Sequence, residues 1–381
     1  MKSKIYLDNA ATTPVAEAVL KEMLPYLTEK YGNPSSLHSF GLEAREATEK
    51  AREKIAEFIN TEKEEIIFTS GGTESDNLTI KGIALAYPGK KHIITSKIEH
   101  LAVLETCKEM QRQGYKVDYI SVNKEGLINL EELKNKINNE TLLVSIMHVN
   151  NEIGTIEPIE EIGKICREKR VFFHTDAVQS LGKLKIDVKK VNIDLLSASG
   201  HKINAPKGIG FLYIRKGINI KPLLNGGNHE KGIRSGTENV PAIVGLGKAI
   251  ELAEKNMKKT EKIKKLRDKL IKEILKIKGS SLNGSIEKRI FNNANFSFTG
   301  IEGESLVLLL DKEGIASSTG SACSSHSLKP SHVLKAIGLN DMEAHGSLRL
   351  TLGWQNNEKE INYAIKKIKG AVEKLRGISG K

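Results

Sequence analysis

Short apolar runs alternate with amphipathic stretches along the first half of the chain, and this alternation constrains the fold more than any other feature. The runs predict strands and the stretches predict helices: strands at 92–96, 115–122, 142–147 and 171–173, and helices at 101–113, 130–138 and 159–169. Strands that alternate with helices in this way form parallel sheets with helices on both faces. The sequence therefore predicts an α/β fold around a mostly parallel sheet.

A change in composition after residue 280 indicates a second, smaller domain. A charged stretch from about Pro241 to Ile277 precedes it and predicts one long connecting helix, and short strands and loops follow. A length of 381 residues suits two domains. We predict a large domain over 15–255 and a small α+β domain made of 1–14 with 256–381.

Two predicted strand ends carry the candidate catalytic side chains. The run 171–173 leads to Asp176, and the run 193–196 leads to Lys202. Ligands of open α/β sheets bind outside the carboxyl ends of the strands. A lysine that binds a carbonyl cofactor needs a partly desolvated site, and a pyridinium ring needs a carboxylate at its nitrogen. Spacing alone favours a simpler alternative, a surface acid and a surface lysine among 47 acidic and 59 basic residues.

A Gly-Gly turn before a predicted helix is a candidate anion site. The strand 65–68 leads through Gly71 and Gly72 to Thr73, and the helix pattern continues to about Ala86. Backbone N–H groups at a helix start and the positive end of its dipole attract phosphate. The Gly-Lys-Ser/Thr signature of a Walker loop is absent. Turns of this kind also join strands to helices with no ligand.

Cys323 differs from the other two cysteines. It lies in the run 317–326, which is too polar and too rich in small residues for a packed core. An exposed thiol in such a loop can ionise and act as a nucleophile, although an idle surface thiol is the alternative. Cys107 and Cys166 lie in helix patterns beside apolar residues, and we predict that both are core residues.

The net charge of +12 raises the question of nucleic-acid binding. The lysines are spread through helix patterns such as 255–277, which favours a solvated surface that attracts an acidic partner or an anionic substrate. We predict no direct nucleic-acid partner. No apolar run approaches the roughly 18 residues of a membrane span. With no signal-peptide pattern at the amino terminus, the sequence predicts a cytoplasmic protein without a membrane partner.

Motifs along nearly the full length resemble one family. Between Tyr6–Thr13 and Leu348-Arg349, six of them follow in order: Thr69–Asn77, Val149–Gly154, His174–Gln179, Ser199–Lys202, Arg234–Asn239 and Ser321–Cys323. Together they resemble the pyridoxal-phosphate-dependent cysteine desulfurases of the NifS/IscS type, which are class V aminotransferase-like. The resemblance implies fold type I of the pyridoxal-phosphate (PLP)-dependent transferases, which is aspartate-aminotransferase-like with a seven-stranded type of sheet, and it implies a homodimer.

The resemblance also implies a role for each motif residue. Lys202 would hold the cofactor covalently and then shuttle the substrate α-proton, and Asp176 would keep the pyridine nitrogen protonated. Gln179 would bond to the ring oxygen, and His100 would stack on the ring and assist proton transfer. The phosphate ligands would be Gly72, Thr73, Ser199 and His201, with Thr237 from the partner subunit. Asn151 would contact the cofactor and, with Arg349, hold the substrate carboxylate.

Simpler readings of these side chains stay open. In the alternative reading, His100 forms a hydrogen bond with a backbone group and has no chemical role. In the same reading Asn151 caps a turn and Arg349 is an ion-pair partner. His201 packs beside Lys202 without binding a ligand. Four further histidines lie in polar loops, and we predict no chemical role for them: His38, His229, His326 and His332.

The reaction that the resemblance implies uses Cys323. Its thiolate would attack the sulfur of bound L-cysteine, leaving L-alanine and a Cys323 persulfide. The persulfide would pass to an acceptor, such as an iron–sulfur scaffold protein of the IscU/NifU type or a carrier for tRNA thiolation. No cysteine pair has metal-ligand spacing, and Cys323 is the candidate for transient ligation of an iron–sulfur cluster. The alternatives are a selenocysteine lyase or aminotransferase of the same fold, and a non-catalytic binding protein.

One segment departs from the family pattern. The family usually has Leu-Gly-Arg-Phe-Thr-Thr where this chain has Leu-Gly-Trp-Gln-Asn-Asn at 352–357. The change removes a positive charge near a predicted helix start, and we expect it to alter surface contacts more than catalysis.

Overall fold

The strands of the computed structural model, which describes residues 4–320 and 330–378, belong to three sheets. In chain order they are β1 (Ile5–Tyr6), β2 (Ile66–Thr69), β3 (His92–Ser96), β4 (Lys116–Ile120), β5 (Thr141–Ser145), β6 (Phe172–Asp176), β7 (Leu195–Ser199), β8 (Gly210–Ile214), β9 (Ser280–Leu282), β10 (Asn293–Phe298), β11 (Ile315–Ala316) and β12 (Ser347–Thr351).

The largest sheet has seven strands in the order β2-β8-β7-β6-β5-β3-β4. Its pairs are parallel except those of β8, which runs antiparallel to both β2 and β7. Every residue of β2, β3, β5, β7 and β8 is buried. Strands covered on both faces need continuous apolar runs, and this is why the sequence shows runs there instead of alternation. The predicted mostly parallel α/β sheet is confirmed.

Helices cover both faces of this sheet and build the rest of the described chain. They are α1 (Glu17–Met23), α2 (Pro25–Thr28), α3 (Ser39–Ile59), α4 (Gly72–Ala86), α5 (Leu101–Arg112), α6 (Leu130–Lys136), α7 (Ile159–Lys169), α8 (Val188–Val191), α9 (Val240–Met257), α10 (Thr260–Ile274), α11 (Gly303–Lys312), α12 (His332–Ala336), α13 (Asp341–His345) and α14 (Glu358–Ile378). Among them, α3 packs on α9, and α4 packs on α5. None of the helices in the described ranges is long and apolar enough to cross a membrane.

A second hydrophobic core lies around the two smaller sheets. The antiparallel sheet β12-β10-β9 and the parallel pair β1-β11 contribute to it, together with α10, α11 and α14. Ile5 and Leu7 from the amino-terminal segment are buried in the same cluster. This arrangement supports the predicted small domain made of both chain ends, whose exact boundaries stay a prediction.

The long connecting helix predicted over 241–277 is wrong in one respect, because the structure has two helices there. The first, α9, packs against α3 beside the large sheet, and the second, α10, packs against α14 in the other core. Lys258 and Lys259 lie between them. The apolar stripes of the two helices face different cores, so one straight helix cannot bury both.

The sequence after Pro14 also predicts a single helix to about Leu27, and this helix is divided in the structure. It begins at Glu17 and ends at Met23, and α2 then starts at Pro25. Proline has no backbone N–H to continue a helix but suits its first position, which explains the break.

The two described cysteines are core residues, as predicted. Cys107 and Cys166 are both buried, and burial raises the pKa of the Cys107 thiol to about 12. The pKa of the Cys166 thiol is also raised by burial. Neither thiol is therefore ionised at neutral pH, and neither is a nucleophile.

Candidate active site

A cavity of about 800 Å³ opens at the carboxyl ends of β5, β6 and β7. This volume suits a small ligand or cofactor. Of the residues that the sequence assigned to the site, these border the cavity: Gly72, Thr73, His100, Asn151, Asp176, Gln179, Ser199, His201, Lys202 and Arg349. Strand ends that are neighbours in the sheet thus bring together motifs that lie far apart in the sequence.

Asp176 is the last residue of β6, so the carboxylate belongs to the strand and does not follow it. Its side chain is buried, and Oδ1 accepts a hydrogen bond of 2.8 Å from the N–H of Val178. Burial raises the pKa of Asp176, and the nearby His100 and Lys202 oppose this effect. The described chain offers Asp176 no salt bridge within 4 Å. A buried carboxylate at a cavity wall is well placed for a cationic ligand atom.

Lys202 ends the turn after β7, and backbone carbonyls of the amino-terminal loop hold its amine. Nζ donates to the carbonyl oxygen of Ala10 at 2.6 Å and to that of Ala11 at 2.7 Å. The side-chain amide of Gln179 donates to the same Ala10 oxygen at 2.9 Å. The loop after β1 therefore sets the positions of both side chains, although it is about 170 residues away from them in sequence.

The start of α4 has the features that an anion site needs, and anion binding there stays a prediction. Gly71 is its N-cap with a φ of 150°, and no side chain caps the first N–H groups. A Cβ on Gly72 would lie 2.6 Å from Cγ2 of Val178, so only glycine fits there. Helix dipole and backbone N–H groups thus point into a space that side chains leave open.

His201 borders the same part of the cavity as a neutral ring. Burial, helped by the charge of Lys202, lowers its pKa to about 4. Its Nδ1 lies 3.1 Å from Oγ1 of Thr12. A neutral His201 can donate a hydrogen bond to an anion but adds no full charge.

His100 is held by a backbone group and also lies at the cavity, and its role toward a cofactor stays a prediction. It is the N-cap of α5, where Nδ1 accepts a hydrogen bond of 3.1 Å from the N–H of Ala102, and it also borders the cavity. Because Nδ1 acts as an acceptor, the hydrogen-bond network assigns the proton of the neutral ring to Nε2.

Asn150, not Asn151, caps the turn of this motif. Its Oδ1 accepts hydrogen bonds from the N–H groups of Glu152 and Ile153, at 2.9 and 3.0 Å. Asn151 is only half-buried and borders the cavity. The turn-capping role that the alternative reading gave to Asn151 therefore belongs to Asn150.

Arg349 is an ion-pair partner and a cavity residue at once. Its Nη2 lies 2.9 Å from Oδ1 of Asp8, and Nη1 donates to the carbonyl of Asn151 at 3.0 Å. Its Nε is buried without a hydrogen-bond partner in the described chain. This guanidinium retains a donor for an anionic ligand.

Several residues around the cavity were not singled out by sequence reasoning. Asp76 borders it, and its pKa is raised well above the ordinary value by burial and by Asp176. Glu152 is buried, accepts a hydrogen bond of 2.5 Å from Oγ of Ser331, and has its pKa raised by burial to about 7. Asp76 belongs to the motif Thr69–Asn77 and Glu152 to the motif Val149–Gly154, but neither acid had an assigned chemical role.

His332 does not lie in a loop as the sequence indicated, and its lack of a chemical role stays a prediction. It begins α12, borders the cavity, and its Nε2 lies 2.9 Å from the carbonyl oxygen of Glu99. A polar neighbourhood in the sequence does not reveal that His332 lies at a cavity. His38 instead caps α3, accepting at Nδ1 from the N–H of Gly41 at 3.3 Å.

Two residues that the sequence assigned to the site, Thr237 and Cys323, are not among the described residues that border the cavity. Thr237 is exposed and does not border the cavity of its own chain. Cys323 lies outside the described residues, as does His326. Gly320 precedes that segment and lies beside Glu152. Pro330 follows the segment and borders the cavity.

The departure at 352–357 lies closer to the site than expected. Trp354 packs on Phe291 with ring centroids 5.2 Å apart, and both border a small cavity of about 20 Å³ that Lys202 also lines. This segment therefore borders a small cavity shared with Lys202, the candidate catalytic lysine, and also reaches the surface.

Comparison with known proteins agrees with this fold and site. A family model for class-V aminotransferases matches residues 5–363. A cysteine desulfurase IscS from Methanosarcina thermophila is 54% identical over 98% of this chain and 93% of its own length. A solved NifS-like protein superposes with a TM-score of 0.93 at 42% identity, over 98% of this chain and all of the other. A structure of SspA in complex with cysteine superposes with a TM-score of 0.82 at 41% identity, over 92% of this chain and 99% of the other.

An open α/β sheet with a lysine and an acid at adjoining strand ends is the arrangement of a fold-type-I enzyme, and the chain belongs to the class-V aminotransferase family. Within that family it groups with the cysteine desulfurases of the IscS type.

Proposed function

We propose that the protein converts L-cysteine to L-alanine and transfers the sulfur to Cys323, which becomes a persulfide. Pyridoxal phosphate would be held at Lys202. One observation carries this proposal: Asp176 and Lys202 border the same cavity as Gly72, the first residue of α4. Together with the relatives named cysteine desulfurase, this geometry favours the proposal over a binding protein without catalysis.

The residues present fit pyridoxal phosphate. The ring nitrogen would pair with the buried Asp176, which lacks a salt bridge within the described chain. The phosphate would lie at the start of α4, where Gly72 leaves room and His201 is neutral. Bound there, pyridoxal phosphate draws electrons away from the α-carbon of the substrate.

Lys202 and His100 are the groups that move protons. Lys202 would hold the cofactor through its amine and, once released from it, take the α-proton of the substrate. The Ala10 and Ala11 carbonyls keep that amine at the cavity wall. His100 borders the same cavity with its proton on Nε2, so it can return a proton to the product carbon.

Arg349 and Asn151 would hold the carboxylate of L-cysteine. The Nε of Arg349 is buried without a partner in the described chain, and the Asn151 side chain lies at the same cavity. A carboxylate at this guanidinium would accept charge-assisted hydrogen bonds.

Cys323 would act as the attacking thiolate. Cys323 follows Gly320 by three positions in the sequence, and three Cα–Cα steps span at most roughly 11 Å. Gly320 is next to Glu152, which borders the cavity. This tether supports an attack on a substrate bound in the cavity.

The reaction balances without an added oxidant or reductant. The C–S bond of L-cysteine breaks, and an S–S bond forms with the sulfur of Cys323. The electron pair of the C–S bond stays with carbon, which takes up a proton to become the methyl group of L-alanine. Carbon is reduced and sulfur is oxidised by the same step.

A homodimer is part of this proposal. Exposed large apolar side chains concentrate near the amino terminus: Leu20, Leu24, Leu27, Tyr31, Leu37, Phe40 and Leu42. The helices of this segment contact α9, and Thr237 precedes α9 by two residues. A second copy would cover this apolar surface and bring its Thr237 to the phosphate. Such patches mark interaction surfaces.

The sulfur acceptor would be an iron–sulfur scaffold protein or another protein thiol. The relatives named IscS support a role in iron–sulfur cluster assembly, and a tRNA-thiolation carrier is the second candidate. A cytoplasmic location stays a prediction from the sequence.

The test compares the wild-type protein with Lys202→Ala and Cys323→Ala after addition of pyridoxal phosphate and L-cysteine. We expect wild type to form alanine and, with a thiol reductant, an equal amount of sulfide. Cys323→Ala should bind the cofactor and release little sulfide. Lys202→Ala should lack the lysine–cofactor link that borohydride fixes in wild type. Equal sulfide from Cys323→Ala would contradict the proposed nucleophile, and a keto acid without sulfide would indicate an aminotransferase.

A further inference from the structure

The turn that carries Asn151 is held from outside by side chains of distant segments. Its three consecutive carbonyl groups at residues 151–153 all accept hydrogen bonds from such side chains. The donors are Nη1 of Arg349 to Asn151 at 3.0 Å, Nδ2 of Asn293 and of Asn295 to Glu152 at 3.2 and 3.1 Å, and Nη1 of Arg289 to Ile153 at 2.6 Å. Each donor is at least 136 residues away from its acceptor in the sequence.

Arg289 is the donor among these four with no role assigned so far and with a fully buried charge. Only 5% of it is exposed, and no carboxylate among the described residues pairs with its guanidinium. It donates instead to the carbonyl groups of Ile153, Ser285 and Asn283. Burial and the charge of Arg267 lower the pKa of Arg289 to about 9, so the group is still charged at neutral pH. A buried charge without an anionic partner is costly and is therefore a candidate for a specific role.

The backbone fixes Arg289 against the turn. The residue after it, Ile290, donates its N–H to the carbonyl of Gly154 at 2.9 Å. The residue before it, Lys288, accepts at its carbonyl from the N–H of Ile156 at 2.9 Å. Arg289 thus lies between two backbone contacts to the same turn, and its guanidinium adds a third contact at Ile153.

The N–H groups of the turn are held by the turn itself. Oδ1 of Asn150 accepts from the N–H groups of Glu152 and Ile153, and the Asn150 carbonyl accepts from the N–H of Gly154 at 3.0 Å. Buried backbone groups need a partner of this kind. Because Asn150 holds the N–H groups and distant side chains hold the carbonyl groups, the place of the turn depends on those distant side chains.

The turn determines where Asn151 lies relative to Arg349, and both residues border the large cavity. Nη1 of Arg349 donates to the carbonyl of Asn151, whereas its Nε has no partner in the described chain. A shift of the turn would therefore separate the two side chains that are proposed to hold the substrate carboxylate.

We propose that Arg289 is a positioning residue that fixes the turn 150–154 so that Asn151 and Arg349 hold one geometry toward the substrate carboxylate. This inference deepens the proposed function and rests on carboxylate binding by these two residues. Binding groups lose much of their effect when they are displaced by about 1 Å, and the residues behind them prevent such displacement.

The test compares Arg289→Met, which removes the guanidinium, with Arg289→Lys, which keeps a charge but loses the planar fork of donors. Arg289→Lys decides the question if Arg289→Met does not fold. The matched control is Arg376→Met. Arg376 also donates to backbone carbonyl groups, those of Lys278 and Thr299, but it does not contact the turn.

The first measurement is amide hydrogen exchange of the full-length protein as purified, followed by mass spectrometry of the peptide over 150–156. We expect exchange at least about tenfold faster than wild type in Arg289→Met, and a smaller increase in Arg289→Lys. The peptide over β3 reports on global stability and should change no more than in Arg376→Met. An equal increase in both peptides would mean that Arg289 supports only the stability of the fold, which would overturn the proposal.

The second measurement is steady-state formation of alanine by the protein loaded with pyridoxal phosphate. The KM for L-cysteine should rise by about tenfold in Arg289→Met and at least about threefold in Arg289→Lys, with kcat changed by less than about threefold. Arg376→Met should match wild type. A wild-type KM in both Arg289 variants would overturn the proposal, even with faster exchange. Absence of alanine formation by wild type would instead contradict the proposed function, and the exchange measurement would still decide whether Arg289 holds the turn.

Discussion

At the scale of single residues, burial controls the charges around the cavity more than pairing does. Burial raises the pKa of Glu152 to about 7 and that of Glu99 to about 8. It lowers the pKa of His201 to about 4 and that of Lys183 to about 7. Glu152, Glu99 and Lys183 therefore change their charge close to neutral pH, where enzymes need groups that exchange protons, whereas His201 stays neutral there.

Glu152→Gln tests this effect on stability. The folded protein holds the Glu152 proton between the ordinary pKa of 4.5 and the raised pKa of about 7, whereas the unfolded chain releases it. Stability from the protonated carboxyl is thus complete below about 4.5 and is lost as the pH rises through about 7. Glutamine removes this loss and can still accept the hydrogen bond from Ser331.

The measurement is the free energy of unfolding in urea at about pH 5 and about pH 8. The wild type should lose about 3 kcal/mol more than Glu152→Gln between these pH values. The comparison cancels the titration of Glu99 and Glu157, which both proteins share. Parallel pH profiles of the two proteins would show that Glu152 titrates at its ordinary pKa.

At the scale of elements, the site is built from the ends of strands and the start of one long helix. β6 ends in Asp176, and α4 begins at Gly72 without a side-chain cap. Strand ends fix their side chains firmly because the ladder continues beneath them, and an uncapped helix start leaves N–H donors for an anion. The proposed ligand-binding features are therefore the element boundaries themselves.

Gly72→Ala tests the close contact at the start of α4. The added Cβ would lie 2.6 Å from Cγ2 of Val178, the residue directly before Gln179. Overpacking of this kind costs about 1–3 kcal/mol. Titration with pyridoxal phosphate should show an affinity at least about tenfold lower than that of wild type.

The matched control is Gly370→Ala, because Gly370 is exposed within α14 and an added Cβ there meets nothing within 4 Å. Alanine in a helix is favoured over glycine by roughly 0.5–1 kcal/mol, so this variant should be slightly more stable and should bind the cofactor normally. Equal affinities for Gly72→Ala and the control would refute the role of this contact.

At the scale of the whole molecule, the amino-terminal segment connects the parts. Ile5 and Leu7 complete the second core, and the loop that follows holds Lys202 and Gln179 at the cavity. Farther along, the exposed apolar side chains of the segment from Leu20 to Leu42 leave a surface for a partner. One segment thus contributes to the core, the site and the proposed dimer contact.

Leu27→Asp tests the dimer contact. Leu27 is 57% exposed, and an aspartate there would have to lose water at an apolar interface. Sedimentation equilibrium should show a dimer for wild type and self-association weakened by about tenfold or more in the variant. Leu308→Asp is the matched control, since Leu308 is 65% exposed on α11, and it should leave the dimer unchanged. A monomeric wild type would contradict the homodimer.

Most of the fold and the cavity residues followed from local patterns. Apolar runs predicted the strands of the large sheet, and turns with glycine predicted the start of α4, because strand burial and helix starts leave marks on neighbouring residues. Of the described candidates, only Thr237 does not border the cavity of its own chain. The resemblance to a family supplied the roles of His100, Asn151 and Arg349, whose local sequence fitted simpler readings equally well.

By itself, the sequence determined which segments form strands and helices, since these depend on periodicity and on neighbouring residues. The resemblance of its motifs to a family indicated which of them surround the cavity. Tertiary structure alone decided the break between α9 and α10, the position of His332 at the cavity, and the presence of both Lys183 and Lys202 at one small cavity. Each of these depends on which surfaces distant segments bury against one another. Periodicity records that a side chain is buried, but not which neighbour it meets, and the charge of a buried group is set by that neighbour.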